Sequence, residues 1–106
     1  MAKAEICSGV CGFVTIVETK MDGGLCNVSI QSDCPSMKKL SRELSQVDPF
    51  REITFRGEGP QTLQIAAKHC AHAACPVPSG IIKAVEVEAG LALPVDVTIK
   101  ISITGA

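Results

Sequence analysis

"GFVTIVETKMDGGLCNVSIQSD", residues 12–33, decides the fold because it reads as a β-hairpin from end to end. Val14 and Ile16 alternate with Phe13, Thr15 and Val17, so apolar side chains fall on both faces where the first strand begins. Asp22-Gly23-Gly24 supplies the positive-φ residues that a tight turn demands. In the return strand Cys26, Val28 and Ile30 share one face, and Asn27, Ser29 and Gln31 share the other. A sheet with one dry and one wet face needs helices on the dry side.

The sequence after the hairpin provides them. In "DCPSMKKLSRELSQVD" Met37, Leu40, Leu44 and Val47 recur at helical spacing. Pro35 suits the first helical position, where its missing N–H has no partner to lose, which makes Asp33 or Cys34 the cap. Asp48-Pro49 stops this helix. "REITFRG" is short, carries Ile53 and Phe55 on one face, and reads as an edge strand. "GPQTLQIAAKHCAHAA" reads as a second helix from Pro60, with Leu63, Ala66, Ala67, Cys70 and Ala74 on its apolar stripe. "PSGIIKAVEVEAGLALP" gives a third, capped by Ser79, packing through Ile81, Ile82, Val85 and Ala89, and ended by Gly90 and Pro94. In "VDVTIKISIT" Val95, Val97, Ile99, Ile101 and Ile103 alternate without error with polar residues, the pattern of a half-buried strand. The expected fold is therefore α+β: a two-layer sandwich with a mainly antiparallel sheet of about four strands, helices on one face, and element order β-β-α-β-α-α-β. With 106 residues the chain is expected to form a single domain, 1–106.

Composition narrows the function. Hydrophobic residues make up 46% of the chain, there is no Trp or Tyr, and Phe occurs three times, so the core must be aliphatic and sulfur-containing. A net charge of −1 provides no clustered cations for phosphate, and the few aromatics provide no stacking platform. No nucleic-acid partner is expected. "MAKAEICSGV" lacks the apolar run of a signal peptide, and no stretch approaches a membrane span, so the expected location is the cytoplasm with no membrane partner. In that compartment six cysteines are expected as thiols, metal ligands or catalytic groups.

The cysteines fall in three pairs, Cys7 and Cys11, Cys26 and Cys34, Cys70 and Cys75, none with the C-x-x-C spacing of zinc ribbons and thioredoxin-type sites. Position says more than spacing. Cys34 and Cys75 each precede a proline at a helix start, where free N–H groups and the positive end of the dipole favour a thiolate. Cys7 and Cys11 flank "SGV" in a glycine-containing loop before the first hairpin strand. If these junctions meet at one end of the sheet, Cys7, Cys11, Cys34 and Cys75 form a four-thiolate set suited to zinc or an iron–sulfur cluster. Cys26 lies on an apolar face and reads as core. Cys70, on a helix stripe, is core or a reserve ligand. His69 and His72 are three apart and form H-x-x-H-x-x-C with Cys75, a further metal set. The competing reading is that both imidazoles favour the dipole near a helix C-terminus. There is no G-x-S-x-G elbow and no phosphate loop, so no reaction is assigned.

"CPVP" (75–78), followed by a helix and a strand, resembles the CPxP element of small sulfur-carrier proteins. That resemblance implies Cys75 as the persulfide-carrying residue, with Pro76 and Pro78 fixing the start of the helix. Through "ICSGVCGF" and "CPVPSGIIKAVEVEAGLALP", the chain as a whole resembles small cysteine-containing prokaryotic domains of unknown function from organisms that live without oxygen, and the resemblance brings no activity with it. Three readings stay open: a cysteine-ligated metal module, with Cys7, Cys11, Cys34 and Cys75 first and His69, His72 and Cys70 in reserve; a thiol carrier or redox protein acting through Cys75 or Cys34; and a non-catalytic interaction domain, in which an edge at Ile53–Phe55 would serve a homodimer or a protein partner.

Overall fold

The computed structural model of the chain describes residues 1–105. Its elements are β1 (Ala2–Cys7), β2 (Val14–Asp22), β3 (Leu25–Ser32), α1 (Pro35–Glu43), β4 (Gln46–Val47), α2 (Pro49–Glu52), α3 (Gln61–His69) and α4 (Val77–Glu88). The strands form one antiparallel sheet in the order β1-β2-β3-β4, with helices packed against it in an α+β arrangement. The sequence of elements is β-β-β-α-β-α-α-α, which differs from the expected order at both ends of the chain.

The hairpin forms in its expected register. Met21 pairs with Cys26 and Asp22 with Leu25 around Gly23, whose φ of 64° lies in the left-handed region. The dry face runs through Thr15, Val17, Thr19, Cys26 and Val28, all buried, while Lys20, Asn27, Ser29 and Gln31 stay wet. Val14 is 46% exposed, so the first hairpin strand is covered on one face only. Met37 and Leu40 from α1 with Leu44 at its C-cap, Ile65 and Ala66 from α3, and Val77, Ile81, Ala84 and Val85 from α4 complete the core.

Several local readings are corrected. "AKAEIC" is a strand: Ala2, Ala4 and Ile6 continue the dry face opposite Thr19, Val17 and Thr15, and Lys3 and Glu5 continue the wet one. The helix after Cys34 ends at Glu43, and Val47 is buried from the short strand β4. Asp48-Pro49 starts a new helix as well as ending the previous region. The Asp48 carboxylate accepts from the Phe50 N–H at 3.0 Å, and Pro49 occupies the first turn. The expected strand at 51–57 is therefore absent, with Ile53 and Phe55 exposed. α3 stops at His69, its buried stripe is Thr62, Ile65 and Ala66, and Ala67 is exposed. Pro76, two residues before Pro78, caps α4, so Ser79 lies within the helix. Residues 95–104 pair with no strand among the described residues, and their five apolar side chains are 62–100% exposed. Among the described residues no helix is long and apolar enough to cross a membrane.

α4 is seated on β1 and β2 by three devices. A Cβ on Gly80 would lie 2.3 Å from Ile6 Cδ1 and 2.7 Å from Cγ1, so the helix backbone rests directly on that side chain. The Thr19 hydroxyl donates to the Ala84 carbonyl at 3.0 Å. Glu88 accepts from the Met21 N–H at 2.9 Å and pairs with the Met1 ammonium at 3.3 Å, and these contacts hold its carboxyl below the usual range. Glu88 thus clamps the end of α4 to β2 and to the start of the chain. α3 is started by another acid. The buried Glu52 carboxylate accepts from the Gln61 N–H at 2.7 Å, the Thr62 N–H at 2.9 Å and the Thr62 hydroxyl, replacing the cap that Pro60 lacks.

Gly80→Ala should lower stability by about 1 kcal/mol through overpacking against Ile6. In an Ile6→Ala background the same change should raise stability by about 1 kcal/mol, the helix propensity of alanine over glycine. Urea unfolding of the four proteins checks the change of sign. Glu52→Ala should cost about 3 kcal/mol because it orphans buried donors at the start of α3. A loss below about 0.5 kcal/mol in the same assay, the level of an ordinary surface change, would remove Glu52 from this role.

Candidate thiol site

The sheet brings the cysteines to one end of the molecule. Cys7 closes the β1 ladder opposite Val14, and Thr15 stands opposite Ser32 near the end of β3. The loop 8–13 and the β3–α1 junction therefore leave the sheet at the same end. Gly80, in the first turns of α4, rests on Ile6, so Cys75 just ahead of that helix belongs to this end too. Cys70 closes α3, and both Cys75 and Cys34 bear on its thiol. Cys7, Cys11 and Cys34 thus lie where chain segments leave the sheet at one end, and Cys70 and Cys75 are near Cys34 at that pole.

Each is placed by local hydrogen bonding. The Cys34 N–H donates to Ser32 Oγ at 3.1 Å, and the same oxygen accepts from Thr15 Oγ1 at 3.0 Å. Cys34 caps α1 through its backbone and leaves its thiol free of capping. The Cys70 N–H donates to the Ala66 carbonyl at 2.7 Å, and the Cys75 N–H donates to the His72 carbonyl at 3.2 Å, which turns the chain between α3 and α4. Cys34, Cys70 and Cys75 are half-buried, whereas Cys7 and Cys11 are exposed. The loop 8–13, which follows Cys7 and bears Cys11, is closed by Ser8 N–H to the Phe13 carbonyl at 3.0 Å and Gly12 N–H to the Gly9 carbonyl at 2.9 Å. Gly9 and Gly12 both have positive φ, and a Cβ on either would meet nothing within 4 Å. The loop stands in open space with two residues able to turn it.

Burial pushes the Cys70 thiol up, and the neighbouring Cys75 thiol and then Cys34 push it further. Cys26, at the core, is pushed up by burial and by the charge of Glu88, which agrees with its reading as a packing residue. Thiolates are the soft donors that suit zinc and iron–sulfur clusters. Among the described residues, however, no group of three or more His, Cys, Asp or Glu side chains is spaced to hold a metal ion. Cys7, Cys11, Cys34 and Cys75 share a pole but are not closed around a point. Cys70, which the stripe pattern assigns to packing or to reserve, lies beside Cys75. The signal for that placement is the five-residue spacing across an Ala-rich turn that ends at Pro76.

The histidines are placed otherwise than expected. Because α3 ends at His69, His72 lies beyond the helix, exposed, and the two do not share a helix face. His69 Nε2 is 3.0 Å from Glu43 Oε1, and Lys68 Nζ is 3.1 Å from Glu43 Oε2. The hydrogen bond from His69, and then that from Lys68, hold the Glu43 carboxyl below its usual range. His69 thus serves as a tie between α1 and α3.

In metal-free protein at neutral pH, iodoacetamide should modify Cys7 and Cys11 first, Cys70 behind them and Cys26 last, because burial and a raised pKa both slow the thiol. Peptide mapping over time checks the order. Cys70 reacting as fast as Cys7 contradicts it.

No curated protein and no solved structure matches the chain. The likeness of residues 75–78 to the sulfur-carrier element gains no support from these comparisons. A family model matches residues 2–101, nearly the whole chain, and by that match the protein belongs to a family of unknown function, DUF6951.

Proposed function

We propose that the thiol pole is a metal-binding site. Cys34, Cys70 and Cys75 supply three thiolates, and a fourth comes from Cys11 when the glycine-bearing loop turns toward them, or from Cys7 at the end of β1. The ion is zinc, or the site takes an iron–sulfur cluster, since both are held by four thiolates. What supports this reading is the strand register that brings the Cys7, Cys11 and Cys34 segments to one end of the sheet, with Cys70 under the influence of both Cys75 and Cys34. His69 and His72 are outside the proposed ligand set, the first because Glu43 holds it and the second because it lies past the helix end.

Protein purified without air should contain close to one zinc per chain, or iron with acid-labile sulfide and the broad absorption near 400 nm of thiolate-bound clusters. Cys34→Ser, Cys70→Ser and Cys75→Ser should each lower the metal content at least severalfold, while Cys26→Ala should retain it. Sub-stoichiometric metal with all six thiols titratable rejects the proposal.

A second reading follows from the nearness of the Cys75 thiol to Cys70, which helps push the Cys70 thiol up. The two thiols can act as a dithiol toward a disulfide-bearing partner. The Cys75 thiolate attacks the partner disulfide and releases one partner thiolate; the Cys70 thiolate then displaces the second, leaving a Cys70–Cys75 disulfide and a reduced partner. Metal-free protein that forms this disulfide in a glutathione buffer favours the second reading over the first.

A further inference from the structure

We infer that residues 95–104 are an exchange strand, which adds to the β1 edge of a second copy of this chain and receives that copy's strand on its own β1. The segment has the composition of a strand and none of its partners. Val95, Val97, Ile99, Ile101 and Ile103 are 75%, 62%, 73%, 90% and 100% exposed, and their spacing of two would place them all on one face of a strand. An apolar stripe of this length left in water marks an interaction surface. β-Branched residues at every second position specify a sheet as the acceptor.

The acceptor is on the same molecule's surface. β1 pairs with β2 alone among the described residues, so its outer edge presents unpaired backbone groups. Its residues Ala2, Ala4 and Ile6 lie at the rim of the dry face and are only half-buried, so that face can accept another apolar strand beside them. Its wet face carries Lys3 and Glu5, and the polar face of the 95–104 segment carries Asp96 and Lys100, so charges of opposite sign are available across the new ladder. Ten extended residues span about 33 Å at 3.3 Å per residue, enough to cover the whole of the six-residue β1.

The position of the segment favours a second copy over its own β1. The long axis of the molecule is 54 Å against 28 and 27 Å for the others, and the exposed segment does not fold back. It leaves α4 just after Glu88, whose carboxylate contacts the Met1 ammonium beside the start of β1. Donor root and acceptor edge are therefore neighbours on each copy. With root and edge side by side, two copies related by a two-fold axis can each give a strand and receive one in a closed dimer.

Sedimentation equilibrium of the full chain at tens of micromolar, with reductant to exclude disulfide linkage, should give twice the 11.1 kDa chain mass. Val97→Lys with Ile101→Lys should shift the protein to the chain mass while leaving its circular dichroism in the helical region largely unchanged, since neither side chain packs in the core. Amide exchange separates this arrangement from pairing between the two segments themselves: outward-facing amides of residues 2–7 should be protected at least tenfold in the wild type and lose that protection in the double variant. A wild-type monomer overturns the proposal, whether or not β1 is protected. So does a dimer whose β1 amides exchange as fast as those of the variant, or a double variant that remains dimeric.

Discussion

The close seating of α4 on β1 and β2 is the constraint on which the rest of the molecule depends. Glycine at position 80 removes the Cβ that would collide with Ile6, the Thr19 hydroxyl reaches the Ala84 carbonyl, and Glu88 grips the Met21 amide and the chain's first ammonium. One apolar approach and two polar ties fix the helix at its start, middle and end. Fixing the start of α4 delivers Cys75 to the pole where the 8–13 loop and the β3–α1 junction emerge. Fixing its end sets the direction in which residues 91–105 leave the body.

The thiol pole is built from element termini. Cys34 precedes one helix, Cys70 closes a second and Cys75 precedes a third, so the backbone at each position is already committed to hydrogen bonds and the sulfur is left over. Half-burial has a further effect. It keeps the three side chains in a limited volume and raises the proton affinity of Cys70, whose neighbours are other sulfurs. A soft cation would relieve that crowding of potential negative charge, which is a physical reason for thiols and metal to be considered together at this pole.

Where the sequence carried strong periodicity together with turn chemistry, the fold could be read from it. The Asp22-Gly23-Gly24 turn and the Cys26, Val28, Ile30 face were legible because a period of two and a positive-φ turn agree with one another. α1 was legible as far as its C-cap, Leu44, but Val47 fell in helical phase by coincidence, since a two-residue strand has too little period to reveal itself. β1 was hidden by its alanines, which alternate correctly yet add little hydrophobic contrast. At Asp48-Pro49 the same pair can end one helix or cap the next, and only the Glu52 carboxylate, folded back to start α3, decides between them. The exposed 95–104 segment shows the limit of pattern reading: alternation states that one face needs cover and is silent on which surface supplies it. The same holds for the site. Helix-start positions identified Cys34 and Cys75, but the neighbour of Cys75 was decided by a turn between helices, and His69 was drawn to Glu43 by a pairing across 26 positions.

The two borders of the sheet are unequal. β4 contributes only Gln46 and Val47, and Pro49 follows at once, so that border has almost no ladder to extend and a residue nearby that cannot donate. Edge-to-edge joining of sheets is therefore confined to the β1 border: two sheets can meet there, and a third finds no comparable ladder at β4 to add to.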